Sequence, residues 1–140
     1  MNTFHLSLDV PDLDGAVAFY RQLFGVEPAK LKPNYAKFEL TDPPVALALQ
    51  ENGHPGLSHL GIRVDSTREV EQASTRLRDS GLVTLDQRDT TCCYARQDKI
   101  WVHDPDGTPW EVFATHEDSE KFGDATGAET AGAGSARACC

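Results

Sequence analysis

Three residues in this chain are of types that hold a metal ion and leave coordination positions open: His5, His59 and Glu111. His5 lies in Phe4-His5-Leu6-Ser7-Leu8-Asp9-Val10. His59 lies in Ser58-His59-Leu60-Gly61-Ile62-Arg63-Val64, a segment that matches the first at a constant offset of 54 residues. Both alternate, so both read as strands, and in each the histidine faces away from the apolar row. Glu111 sits in the second arm of a hairpin whose turn is Asp104-Pro105-Asp106-Gly107. It shares a strand face with Phe113, and Trp110, Val112 and Ala114 point the other way. A carboxylate there is costly to bury unless it is solvated, paired or bound to metal. Singly, Glu111 reads as a solvated strand residue and each histidine as a hydrogen-bonded core imidazole. Their common placement favours convergence, provided the two segments join edge to edge. Two imidazoles and one carboxylate fill about half of an octahedral shell, the ligand set of non-haem Fe(II) sites that take O2 and substrate together. Pairing Pro44-Val45-Ala46 with Pro109-Trp110-Glu111 puts Ala46 where a fourth ligand would stand, and alanine has no donor atom. His54, His103 and His116 fall in a linker, at a turn and past the last strand, and read as surface residues.

A second set of candidates is soft. The four cysteines form two adjacent pairs, Cys92-Cys93 and Cys139-Cys140. Sequence neighbours cannot staple distant segments to each other, so the pairs suit a soft ligand or redox chemistry instead. On an ideal strand Cys92 and Cys93 would point to opposite faces, so joint chelation requires a bulge or loop there. Otherwise one is buried and one exposed.

The elements that must position these residues repeat. After the first strand, Asp12 caps a helix carrying Leu13, Val17, Phe19, Tyr20, Leu23 and Phe24, and Gly25 stops it. Strands follow at Pro28–Leu31, Tyr35–Leu40 and Val45–Gln50, and Glu51–Gly56 is a linker. The second copy has a helix over Ser66–Ser80, then strands at Leu82–Leu85, Thr91–Arg96, Ile100–Val102 and Trp110–Thr115. Neither β-α-β-β-β unit can bury both faces of its sheet alone, so the two form one domain. The expected fold class is α+β, with one cupped mixed sheet and the helices on its outer face. Residues 1–122 make the domain. Residues 123–140, in which 10 of 18 are Gly or Ala, form an expected disordered tail.

The formal net charge of −9 argues against nucleic acid or an anionic membrane as partner. No apolar run approaches the roughly 20 residues that span a bilayer, and the N-terminus lacks the features of a signal peptide. The expected location is cytoplasmic. The units could pair within one chain or swap between two, so monomer and homodimer both remain.

The paired units, the two repeated histidines and the Asp104-Pro105-Asp106-Gly107-x-x-Trp110-Glu111 hairpin resemble the vicinal oxygen chelate superfamily of glyoxalases, extradiol dioxygenases and antibiotic-resistance proteins. Glu27-Pro28-Ala29-Lys30, Asp42-Pro43-Pro44, Thr90-Thr91-Cys92-Cys93-Tyr94-Ala95 and Gln97-Asp98-Lys99-Ile100-Trp101-Val102 narrow the resemblance. They look like the carbon–arsenic lyases of the ArsI type and the CadI-type cadmium-induced proteins. The resemblance implies Fe(II) on His5, His59 and Glu111, capture of a trivalent organoarsenical by Cys92 and Cys93, and O2-dependent release of arsenite. It leaves Cys139 and Cys140 as accessory thiols. The alternative is a protein that binds Cd(II) or As(III) without turnover. A superfamily thiol transferase or isomerase with four metal ligands is disfavoured by Ala46.

Overall fold

The computed structural model describes residues 2–118, and the segment ending in Cys139 and Cys140 lies outside them. The chain runs β1 (Thr3–Val10), α1 (Leu13–Phe24), β2 (Lys30–Lys32), β3 (Tyr35–Thr41), β4 (Pro44–Glu51), β5 (Gly56–Arg63), α2 (Thr67–Asp79), β6 (Leu85–Cys92), β7 (Ala95–His103) and β8 (Pro109–Asp118). Eight strands form one sheet in the order β2-β3-β4-β1-β5-β8-β7-β6. β1 pairs with β4 and β5 with β8 in parallel, while β1 and β5 pair antiparallel. The two repeats therefore join through their first strands, and the mixed α+β sheet expected from the sequence forms.

The first helix begins at the expected cap, Asp12, and the second is capped by Ser66. Asp12 accepts from the Gly15 N–H at 3.2 Å, and Gly25 closes α1 with φ +69°. Ser66 accepts from the Glu69 N–H at 3.3 Å, and the Glu69 carboxylate accepts from the Asp65 N–H at 3.0 Å, a variant of the capping box. Leu13 and Val17 of α1 bury against Ala36, Phe38, Leu47 and Leu49. Val70 and Ala73 of α2 bury against Val64, Ile100 and Ala114. Phe38 is fully buried beside the Tyr20 and Phe24 rings, so its truncation to alanine would cost about 3–5 kcal/mol. Both helices thus lie on the face that the apolar rows present, leaving Phe4, Leu57 and Ile62 exposed, and the histidine face is left to the other side.

That other face is a cup, because the sheet curls until its edges meet. Tyr94, between β6 and β7, donates its hydroxyl to Asn34 Oδ1 at 3.0 Å, and its carbonyl accepts from Lys30 Nζ at 3.1 Å. Lys32 Nζ lies 5.3 Å from the Tyr94 ring, and the Tyr35 ring lies 5.6 Å away. These partners belong to the β2–β3 hairpin, at the far end of the strand order.

One part of the second unit differs from expectation. Leu82–Leu85 and Thr91–Arg96 are not two strands: β6 is one strand over Leu85–Cys92, and a turn at Cys93-Tyr94 ends it. Leu82 and Val83 are exposed and outside any strand. β6 is an edge strand, so Asp86–Thr90 carries no apolar alternation to reveal it. The two-residue turn has φ values of +52° and +62°. Such turns usually announce themselves with Asn-Gly, and this one contains neither residue.

Candidate metal centre

One row of sheet positions carries two of the three hard ligands. Register pairs run Ala46–His5–Gly61–Glu111–Trp101 across β4, β1, β5, β8 and β7. His5 and Glu111 therefore stand two strands apart, about 9–10 Å at the backbone, with Gly61 between them. His59 lies two residues before Gly61 on the same strand face. The candidate ligand atoms of His5, His59 and Glu111 all fall within 4.8 Å of one another, and all three residues are buried.

The protonation states suit a cation. Burial pulls the His5 imidazole down to about 4; the Glu111 carboxylate opposes this, and His59 and Lys99 add to it. A neutral imidazole offers its lone pair at neutral pH. Burial acts to raise the Glu111 carboxyl, but Lys99, His59 and His5 outweigh it and hold it at about 2. His59 Nδ1 lies 3.0 Å from Ser58 Oγ, which orients the ring. His59 Nε2 then sits 3.0 Å from Glu111 Oε2, yet neither atom completes a well-directed hydrogen bond. Two buried polar atoms left this way are costly, and a shared cation would satisfy both. The residues fit a divalent metal in donor type, charge and spacing.

Comparison with known proteins gives the family. The sequence profile of the glyoxalase/bleomycin resistance protein/dioxygenase superfamily matches residues 3–112. The chain belongs to that superfamily. It is 46% identical to the cadmium-induced protein CadI of Mycobacterium bovis, over 100% of this chain and 93% of that one. It is 45% identical to a trivalent organoarsenical cleaving enzyme of Thermomonospora curvata, over 86% of this chain and 82% of that one. An extradiol ring-cleaving dioxygenase from B. fuscum superimposes with a TM-score of 0.65 at 23% identity, over 83% of this chain and 33% of that one. That likeness concerns the fold alone.

The internal repeat of this superfamily member identifies the counterpart of Glu111. β5 pairs with β8 as Gly61↔Glu111, and β1 pairs with β4 as Ser7↔Ala48. Ser7 and Gly61 are equivalent under the 54-residue offset, so the counterpart is Ala48, not Ala46. Counting from the turns misplaces it, because the β3–β4 turn spans only residues 42–43 and the β7–β8 turn spans 104–108. Neither alanine carries a donor, and among the described residues the cluster comprises His5, His59 and Glu111.

Cys92 ends β6 and Cys93 opens the turn, so the bend that joint chelation needs lies there. Both are buried, in a cluster with Tyr35, Ala48 and Tyr94. Cys93 lines the same cavity as His5 and Glu111. Neither is a free thiol in the structure: both are disulfide-bonded. A soft-ligand role therefore requires their reduction first. Cys139 and Cys140 fall outside the described residues.

The sequence reading missed Lys99. It is fully buried, with Nζ 3.5 Å from Glu111 Oε1 and 5.3 and 5.5 Å from the Trp101 and Phe113 ring centres. Burial lowers its ammonium pKa, and Glu111 opposes that shift. Its signal was the alternation Gln97, Lys99, Trp101, which puts all three on the cup face of β7. A charged brace crosses the cup as well. Arg63 donates to both oxygens of Glu39, at 2.8 and 3.1 Å, and Lys37 Nζ lies 3.2 Å from Glu39 Oε1.

Proposed function

We propose that this protein is an enzyme that cleaves the carbon–arsenic bond of trivalent organoarsenicals, methyl or aromatic, using Fe(II) and O2 and releasing arsenite. The observation that carries the proposal is one cavity lined by donors of opposite softness, His5 and Glu111 together with Cys93. Relatives named as trivalent organoarsenical cleaving enzymes, at 41–46% identity, support it. In this reading His5, His59 and Glu111 hold the iron, which when bound supplies redox chemistry toward O2. Lys99 keeps Glu111 ionised in a buried setting. Reduced Cys92 and Cys93 bind the soft arsenic and orient its carbon substituent toward the triad. Phe113 packs edge-on to His5 at 5.2 Å and Trp101 edge-on to His59 at 5.0 Å. These rings hold the imidazoles and exclude water from the cup. Residues 1–122 act as the catalytic domain, and the need for reduced thiols suits a cytoplasmic location.

The test is to incubate reduced, Fe(II)-loaded protein with trivalent methylarsenical, with and without oxygen, and to follow arsenite. Arsenite should form only in air. A second reading is a binding protein that sequesters Cd(II) or As(III) through its thiols without turnover. The CadI relative and the buried cysteine pair favour it. Tight binding with no arsenite in air would establish that reading and remove the enzyme.

A further inference from the structure

We infer that Gly61 is a positioning residue of the metal centre: the side chain it lacks leaves the gap through which Glu111 reaches over β5 toward His5 and His59. This rests on reading the triad as a metal site. Gly61 lies between His5 and Glu111 in the row across the sheet, paired with both. A Cβ added there would stand 2.6 Å from Glu111 Cγ, 3.0 Å from the Glu111 carbonyl oxygen and 3.6 Å from Cδ. The first distance is shorter than real Cβ atoms tolerate. Glu111 has little freedom to retreat, because it is 2% exposed, with Lys99 Nζ 3.5 Å and His59 Nε2 3.0 Å from its carboxylate oxygens.

Backbone conformation does not explain the glycine. Gly61 is not among the positive-φ residues and sits inside a regular strand. Glycine weakens a strand interior, so its presence there marks a close approach by another group. The repeat supplies a control within the same molecule. At the equivalent position in β1 stands Ser7, and its partner on β4 is Ala48. Where no carboxylate crosses the strand, a side chain is present; where Glu111 crosses, it is absent. Each pair has one small and one larger member, exchanged across the parallel ladder. His59 and Gly61 thus form a unit on β5, one residue supplying a ligand and the other the space for its partner's ligand.

The experiment titrates Co(II), as a spectroscopic probe for the triad, into reduced parent, Gly61→Ala, Glu111→Ala and the double variant. Calorimetry and the visible ligand-field band are the readouts. Gly61→Ala should bind Co(II) about tenfold to a hundredfold more weakly, with an altered band. The double variant should bind no more weakly than Glu111→Ala alone, because Gly61 acts through Glu111. Parent-like affinity in Gly61→Ala, or an additive loss in the double variant, would overturn the inference. If Gly61→Ala does not fold, the double variant decides. A folded double variant identifies the Glu111 side chain as the obstacle, and an unfolded one overturns the proposal. Turnover enters none of these readouts. A parent that binds Co(II) but cleaves no arsenical therefore defeats the lyase reading and leaves this one standing.

Discussion

Lys99 places its ammonium 3.5 Å from Glu111 Oε1, while Oε2 faces His59 Nε2 at 3.0 Å. One carboxylate is thus shared between a fixed cation and the direction in which a metal would bind. Removing one partner of a buried pair leaves the other uncompensated, typically at about 3–5 kcal/mol. Lys99→Met should therefore lower the melting temperature of the metal-free protein markedly. Metal would then become the principal cation available to Glu111, and ligand binding stabilises a fold by mass action. The rise in melting temperature on adding Co(II) should be larger in Lys99→Met than in the parent. Thermal denaturation with and without Co(II) measures both. A smaller rise in the variant would show that Lys99 helps to build the site rather than competing for its carboxylate.

Arg63 and Glu39 connect elements that do not touch in the sheet. β3 and β5 are separated by β4 and β1, so the bidentate pair spans the cup above Ala46 and His5. The small Ala46 in that row leaves room for it. The hydrogen bonds from Arg63 outweigh burial and hold the Glu39 carboxyl at about 2. A carboxyl lowered by folding contributes stability above its unfolded value, near 4.5. That contribution is lost as pH falls through the folded value, near 2. Glu39→Gln should therefore be less stable than the parent at neutral pH, and the gap should close between about pH 4.5 and pH 2. Urea denaturation across that range is the measurement, and a gap independent of pH would assign the loss to packing instead. The elements differed in how openly the sequence declared them. β1 and β5 were legible because each sets an apolar row on the helix side against a polar, ligand-bearing row that is buried in the cup, and the two rows alternate strictly. The helices were legible through Asp12, Gly25 and Ser66. β6 was not, because an edge strand has one unpaired side and little apolar demand. Its turn was hidden because Cys93 and Tyr94 adopt a conformation usually given to glycine or asparagine. Lys99 was overlooked for a related reason: a lysine in a strand ordinarily reads as solvated, and only the pairing of β7 with β8 places it beside Glu111.

The whole molecule is two copies of one unit fused along β1 and β5, and its candidate site straddles the seam. His5 comes from the first copy; His59 and Glu111 come from the second, as do Cys92 and Cys93. Seven register pairs join β1 to β5, and Tyr94 of the second copy bonds to Asn34 and Lys30 of the first. A separated first copy would expose the edge of β1, a template for unwanted pairing, together with the cup face that Tyr35 and Ala48 now bury against Cys92 and Cys93. The chain can be divided between His54 and Pro55, in the turn between β4 and β5. Fragments 1–54 and 55–140 should each bind Co(II) far more weakly than the intact chain, since neither contains all three ligands. Expressed together, they should associate through the β1–β5 ladder and recover the intact ligand-field band. Size-exclusion chromatography and Co(II) titration check association and site assembly separately. A fragment that melts cooperatively as a monomer would show that the half-sheet has a sufficient core without its partner. Association without recovery of the band would show that the ladder reforms while the centre does not. The distance from Gly61 to the Glu111 chain would then be the first place to look, because an error of one residue in the β5–β8 register moves the carboxylate to the opposite face.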